Sequence, residues 1–326
     1  MSEPGDRRRI RMKVAVIFNG QGAQFEGMGL DFREHFPEAR AVFNQASEAT
    51  GLDMVQLVSE DFSKLRQTKY AQPAIGTVSL AIWASIREIL PQVDYMAGLS
   101  LGEYAALMAS GIFTVSDGLR LLFERGQVMS DVCVEIAEDE PMQMLAVIGM
   151  PREVVEHLVE DLPQTYLANF NSSEQIILAG PKSSLKLFNQ AAKVAGYRKG
   201  LPLKVEGPFH TPLMAAACQP LEALLDSYEL QPGCAPVISN TTVEPHDLET
   251  LKSTLVRHLI EPVQWEQTID WLIQAKVTHL IQIGPGQTLQ KLLKAHDQAP
   301  LCLAISQVED VSEIEKFLNE NKGEKE

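Results

Sequence analysis

Gly98-Leu99-Ser100-Leu101-Gly102 is the segment of this chain best suited to covalent chemistry. A G-x-S-x-G run between a strand and a helix makes a sharp turn that lifts the serine Oγ clear of the sheet. Val93 to Ala97 reads as a short strand, and Glu103 to Ala109 is a run of good helix formers that Gly111 stops. A side chain at either flanking glycine would collide with neighbouring backbone in so tight a turn. The helix that follows points its free N–H groups and the positive end of its dipole at the same spot. An oxyanion formed there can accept a hydrogen bond from the Leu101 N–H. The chemistry is nucleophilic attack by a serine.

A serine hydroxyl needs a base. Of the seven histidines, His210 lies in Glu206-Gly207-Pro208-Phe209-His210-Thr211-Pro212, between a strand and a helix. Loops at such junctions hold catalytic groups. Position alone leaves two readings of His210 open, a general base or a histidine satisfied by a helix N-terminus. His35, His157, His246, His258, His279 and His296 occur in helical or charged stretches and read as surface or capping residues. No acid stands out as a third member. Asp161 falls between serine and histidine in chain order, but in a stretch with a different rhythm, so a backbone or amide oxygen could orient the imidazole instead. Arg125 reads either as a surface arginine paired with Glu124 or Asp117, or as a planar fork aimed at a substrate carboxylate.

These residues need a scaffold, and the pattern supplies one. Val14 to Phe18 is a strong strand that runs into the Gly-rich turn Asn19-Gly20-Gln21-Gly22-Ala23-Gln24, which matches neither nucleotide-binding loop. Pro73 to Leu90 is helical until Pro91, Thr211 to Tyr228 and Val263 to Gln274 are helical, and Pro236 to Ser239 and Thr278 to Ile283 are strands. Alternating β and α predicts a parallel sheet covered on both faces. Between them, Met142 to Val205 reads βαββαβ, with strands at Met144–Ile148, Tyr166–Phe170, Gln175–Ala179 and Leu201–Val205. That is the order of the ferredoxin-like module. The expected domains are residues 13–140 and 208–310 as one discontinuous α/β unit and 141–207 as an inserted small domain. Residues 1–12, with Arg7, Arg8, Arg9 and Arg11, and residues 311–326 are expected to be flexible ends.

The 326 residues carry a formal charge of −15, with 45% hydrophobic and 22% charged residues. An acidic chain is a poor partner for nucleic acid. No apolar run has the length of a membrane helix. Cys133, Cys218, Cys234 and Cys302 are widely spaced and lack paired histidines, so a metal site or disulfide framework is not expected and a reducing cytoplasm fits. A monomer is the default. Against the overall acidity, Lys182, Lys186, Lys193, Arg198, Lys199 and Lys204 follow one another with no acid among them. They form a solvated helix face or a docking patch for an acidic partner.

Taken together, the segments resemble the malonyl-CoA:acyl carrier protein transacylase family, from about Val14 to Ile305. They are Phe18–Gln24, Tyr70-Ala-Gln-Pro-Ala74, Gly98–Tyr104, Arg125-Gly126 with Met129, Asn169-Phe-Asn171, Gly207–His210, Pro262-Val-Gln-Trp265 and Ile283-Gly-Pro-Gly286. The resemblance implies an α/β-hydrolase-like core with the ferredoxin-like insert and a site between them. It implies that Ser100 carries the acyl group, His210 is its base, and the N–H groups of Gln21 and Leu101 form the oxyanion hole. It also implies that Arg125 pairs with the malonyl carboxylate, that the Gln264 carbonyl orients His210, and that Asn169 and Met129 line the substrate site. Malonyl-CoA is then the substrate, acyl carrier protein the acceptor, and no bound cofactor is needed. The basic patch would suit the carrier. Leu99 stands where many members have His, Asn19 where Pro is common, and Gln282 where Glu is common. Met142-Gln143-Met144 also departs from the usual run of small residues. The nearest rival is a relative that hydrolyses acyl groups stalled on carrier proteins, which should not need Arg125. A lipase-like enzyme and an idle carrier-binding module are more distant.

Overall fold

The computed structural model describes residues 12–319. From the amino end the chain runs β1 (Val14–Phe18), α1 (Leu30–His35), α2 (Pro37–Thr50), α3 (Met54–Ser59), α4 (Thr68–Ile86), β2 (Val93–Gly98), α5 (Leu101–Ser110) and α6 (Val115–Ala137). Then come β3 (Met142–Ile148), α7 (Arg152–Val159), β4 (Tyr166–Ser172), β5 (Gln175–Pro181), α8 (Lys182–Val194) and the two-residue β6 (Leu201–Pro202). The remainder is α9 (Cys218–Asp226), α10 (Leu251–Arg257), α11 (Trp265–Gln274), β7 (His279–Ile283), α12 (Thr288–Leu292), β8 (Leu301–Ile305) and α13 (Ile314–Leu318).

Strands β2, β1, β7 and β8 lie side by side in that order, all parallel. The apolar run of β1 is buried at every position, as a central parallel strand must be. Val14, Val16 and Phe18 face the large core with Ile75, Val78 and Leu122 of α4 and α6. Ala15 and Ile17 face the opposite cluster with Trp265, Ile269 and Leu289 of α11 and α12. The second sheet has the order β4-β5-β3-β6 and is antiparallel. One of its faces, Leu145, Val147 and Leu178, packs under α7 and α8 against Val155, Leu185 and Phe188. Its other face, Met144, Ala146 and Ile177, joins the large core. The two sheets are stitched by backbone: Phe170 N–H donates to Val263 O and Val263 N–H to Ala168 O, each at 2.9 Å.

Several boundaries differ from expectation. Pro236–Ser239 makes only isolated bridges, Val237 beside Met96, where the chain grazes β2, and Ile238 beside Pro245. The strand expected over Leu201–Val205 pairs with β3 at Leu201 and Pro202, with one further bond from Leu203 N–H to Met144 O at 2.9 Å. The helix expected from Thr211 divides into a tight 3₁₀ segment, Pro212–Ala217, and α9. Residues 311–319, expected as part of a flexible end, are helical: Ile314 and Phe317 are buried against the core, since they share one face of the turn. The other residues expected to be flexible, 1–11 and 320–326, lie outside the described residues, the basic leader among them.

The junction of β1, β2 and α5 leaves no room for side chains. A Cβ on Gly102 would overlap the Phe18 carbonyl, and one on Gly98 would overlap the Gly102 backbone. Gly102→Ala is therefore expected to destabilise the protein by about 2 kcal/mol or more through overpacking. A thermal melt unchanged from that of the wild type would contradict this close approach.

Candidate active site

Ser100 sits at the tip of the turn between β2 and α5 with φ 54° and ψ −108°. That backbone conformation is costly for an L-residue and persists only where its surroundings enforce it. Asn240 does much of the enforcing. Its Oδ1 accepts from the Ser100 N–H and its Nδ2 donates to the Gly98 carbonyl, both at 2.7 Å, so one buried amide clamps both limbs of the turn. Leu101 begins α5, and a first helical residue has an N–H free to donate outward. Gln21, in the turn after β1, opens onto the same cavity as Ser100 and Leu101, and its Nε2 donates to Thr68 Oγ1 at 3.2 Å.

Ser100 Oγ lies 2.7 Å from His210 Nε2. His210 Nδ1 lies 2.7 Å from the backbone carbonyl of His258. A carbonyl only accepts, so Nδ1 carries the proton and Nε2 is left to accept from the serine. His210 also has positive φ, at 60°, and is buried. The loop that carries it is tied down by Glu206, whose Oε2 accepts from Thr68 N–H at 2.8 Å and from Ser130 Oγ at 2.9 Å. Thr68 thus contacts both the Gln21 turn and the His210 loop. Burial, with a smaller contribution from the Arg125 charge, pushes the His210 imidazolium down to about 4, against the pull of the His258 carbonyl.

Arg125 comes from α6 and is 2% exposed. Its Nη1 donates to Gln72 Oε1 at 2.6 Å, and its guanidinium lies 4.8 Å from the Tyr104 ring centre. Its Nε and Nη2 have no hydrogen-bond partner among the described residues. Gln72 in turn donates to Met129 Sδ at 3.4 Å. Arg125, Ser100, His210, Gln21, Leu101, Met129 and Asn169 all line one cavity of about 270 Å³ between the two sheets. A buried guanidinium with free donors beside a serine–histidine couple can bind an acyl group that ends in a carboxylate.

Two readings of the sequence need correction. Gln264 does not orient His210. Its carbonyl accepts from Thr268 in the first turn of α11, and the carbonyl that reaches Nδ1 belongs to His258. His246 and His258 are not surface residues: their side chains are 2% and 0% exposed, and both face Glu103. His279 is buried in β7 as well. The alternative partners for Arg125 fall away too, since Glu124 accepts from the Tyr228 hydroxyl and Asp117 from Thr114. Sequence reasoning missed Asn240 and assigned no role to Gln72. The signal for Asn240 was an amide closing an apolar run at the carboxyl edge of the sheet. Lys182, Lys186 and Lys199 ring a separate groove with Gln143, while Lys193, Arg198 and Lys204 are exposed outside it. Gln143 shares its side of β3 with Leu145, so this groove opens on the helix-covered face of the small sheet, away from the cavity.

A family model described as an acyl transferase domain matches residues 15–314. The chain is 34% identical over 305 residues to the malonyl CoA-acyl carrier protein transacylase of Bacillus subtilis (strain 168), covering 92% of this chain and 95% of that protein. Among solved structures, MCAT from Streptococcus pneumoniae matches with a TM-score of 0.87 and 34% identity, over 93% of this chain and 99% of that one. A type II PKS acyl-carrier protein in complex with its malonyl-transacylase also matches through the enzyme chain, with a TM-score of 0.87 and 31% identity over 92% and 98%.

The low proton affinity of His210 has a kinetic signature. The acid limb of kcat/KM reports the base in the free enzyme. It is expected near pH 4, because His210 stays neutral until the pH falls to about 4. A pH–rate profile whose acid limb sits near pH 6.5 would show that the base is solvated or is another histidine.

Proposed function

Since the chain belongs to the malonyl CoA-acyl carrier protein transacylase family, we propose that it moves a malonyl group from malonyl-CoA to the phosphopantetheine thiol of an acyl carrier protein. Ser100 is the covalent way-station. The observation that carries this reading is the shared cavity, in which the Ser100–His210 couple and the unpartnered Nε and Nη2 of Arg125 converge.

In the first half-reaction Ser100 Oγ attacks the thioester carbon and its proton passes to His210 Nε2. The oxyanion accepts from the N–H groups of Leu101 and Gln21. The C–S bond then breaks, and the imidazolium returns the proton to the departing CoA sulfur. In the second half the carrier thiol gives its proton to His210 and attacks the malonyl ester. Collapse expels Ser100 Oγ, which recovers the proton. Arg125 holds the free carboxylate throughout, while Asn169 and Met129 wall the acyl site. That neutralising carboxylate also relieves the pressure of the Arg125 charge on the imidazolium. A hydrolase acting on plain acyl groups would have no use for the buried, half-satisfied guanidinium.

We read residues 13–140 and 208–310 as an α/β-hydrolase-like catalytic unit, with the nucleophile on the elbow after β2. Residues 141–207 are its insert. The order β6-β3-β5-β4 is fourth-first-third-second within the insert, which is the ferredoxin-like arrangement. The lysine groove is assigned to carrier docking. The edge segment after Lys199 leads from that groove to Leu203 and Val205, which line the cavity, so a long thiol arm could pass around the sheet edge.

Intact-mass spectrometry tests the reading. Malonyl-CoA should leave a malonyl adduct on Ser100 that moves to holo carrier protein when this is added, whereas acyl carrier stripped to free acid would support the hydrolase. Arg125→Ala should reduce malonyl over acetyl preference on the order of 100-fold by removing the partner of a buried charge. Unchanged selectivity removes Arg125 from the acyl site. Lys186→Glu with Lys199→Glu should raise KM for the carrier several-fold, more at low salt, with loading from malonyl-CoA unchanged. An equal effect on both half-reactions would place docking elsewhere.

A further inference from the structure

Behind His210 lies a group of buried titratable side chains that the steps above do not use. Glu103 is in the first turn of α5, His258 caps the end of α10, and His246 precedes α10. Glu103 and His258 are fully buried. Glu103 Oε1 accepts from His246 Nε2 at 2.6 Å. Its Oε2 faces His258 Nδ1 at 3.3 Å, and neither atom has a hydrogen-bond partner among the described residues. The His258 ring stacks on the His210 ring, with centroids 4.7 Å apart and planes 29° from parallel. His258 therefore touches the base twice, through its carbonyl at Nδ1 and through its ring face.

A side chain that merely filled this space could be apolar. Burying a carboxyl group and two imidazoles costs far more than burying a leucine, and their mutual contacts offset only part of it. The neighbour here becomes charged during catalysis: His210 is an imidazolium whenever Ser100 has given up its proton. The groups facing His210 are Ser100 from the turn before α5, Arg125 from α6 and His258 from the end of α10; those facing His258 are Glu103, His246, Arg125 and His210. Arg125 opposes a positive charge at this place, and the Glu103 carboxyl group meets the His258 ring at Nδ1, 3.3 Å away. Burial, then the charges of His210, Arg125 and His246, hold the His258 proton affinity far below the ordinary histidine range, so its ring stays neutral. A neutral ring 4.7 Å from a cation offers its face, and a carboxylate at its Nδ1 makes that face richer in electrons.

We propose that His258 and Glu103 are a positioning pair for His210: the stacked imidazole fixes the plane of the base, and Glu103, itself held by His246, polarises that ring so that it stabilises the transient imidazolium. The pair rests on the proposed Ser100–His210 couple but not on the identity of the acyl group.

The test therefore uses a probe that ignores the acyl site. A fluorophosphonate labels a serine activated by its histidine, and intact-mass time courses give the labelling rate of Ser100. His258→Leu should slow labelling on the order of 10-fold or more, His258→Phe should recover part of the loss by restoring a flat face, and Glu103→Gln should slow it about 3-fold to 10-fold. The acid limb of the labelling rate separates positioning from packing. Loss of imidazolium stabilisation moves the limb below pH 4, whereas a loosened, hydrated site would move it up toward the ordinary histidine value near 6.5. A limb that moves up, or variants that label as fast as wild type, overturns the pair alone. If His258→Leu does not fold, the same-shaped Glu103→Gln decides by the same two readings. A wild-type protein that takes no probe on Ser100 overturns the couple, and this pair with it.

Discussion

Ser100 and His210 meet at 2.7 Å although both occupy backbone conformations that residues with a Cβ avoid, and although 110 positions separate them. Neither strained conformation is stable by itself, so each must be imposed from outside. At Ser100 the imposition comes from close backbone crossings at Gly98 and Gly102 and from the Asn240 clamp. At His210 it comes from the Glu206 anchor on one side and the His258 carbonyl on the other. The sheet, α5 and the insert matter to function chiefly because they hold these two residues in register.

The same enclosure sets the electrostatics. A histidine this deeply buried resists protonation, and Arg125 adds to the resistance. A reluctant base is a weak one, yet it stays available down to about pH 4. Arg125 is itself only half satisfied, with Gln72 on one nitrogen and two nitrogens open. The cavity thus presents a buried positive charge with donors to spare. A ligand carboxylate there would quiet the guanidinium and ease the charging of His210 in one step, so on the proposed reading substrate recognition and base strength share a single interaction.

How much of this the sequence disclosed depended on whether a signal was local. The elbow could be read because strand, turn glycines and helix are contiguous, and the alternation of β and α gave the parallel sheet. The pairing of Ser100 with His210 could not be read from spacing, and the family resemblance was needed to choose His210. The orienting carbonyl was misplaced by six residues, from His258 to Gln264, because backbone oxygens leave no mark on residue type. Glu103 looked like an ordinary helix former, and its burial between two histidines exists only once α5 packs beside α10. Asn240 escaped for the same reason: one amide bridging Ser100 and Gly98 is a tertiary fact. The carboxyl-terminal turn was misjudged because charge was weighed over the spacing of Ile314 and Phe317.

The backbone stitch between the two sheets has a bearing on how such a site can diversify. With Phe170 and Ala168 bonded to the segment at Val263, the insert cannot swing away from the core without breaking that two-bond bridge. The cleft accordingly has a width tied to that bridge. Its capacity is set by which side chains project into it, Met129, Met144, Leu203 and Phe209 among them. Lineages that come to accept bulkier or differently shaped acyl groups would therefore do so by trimming or swapping these few contours, while the frame that aligns nucleophile and base is inherited unchanged.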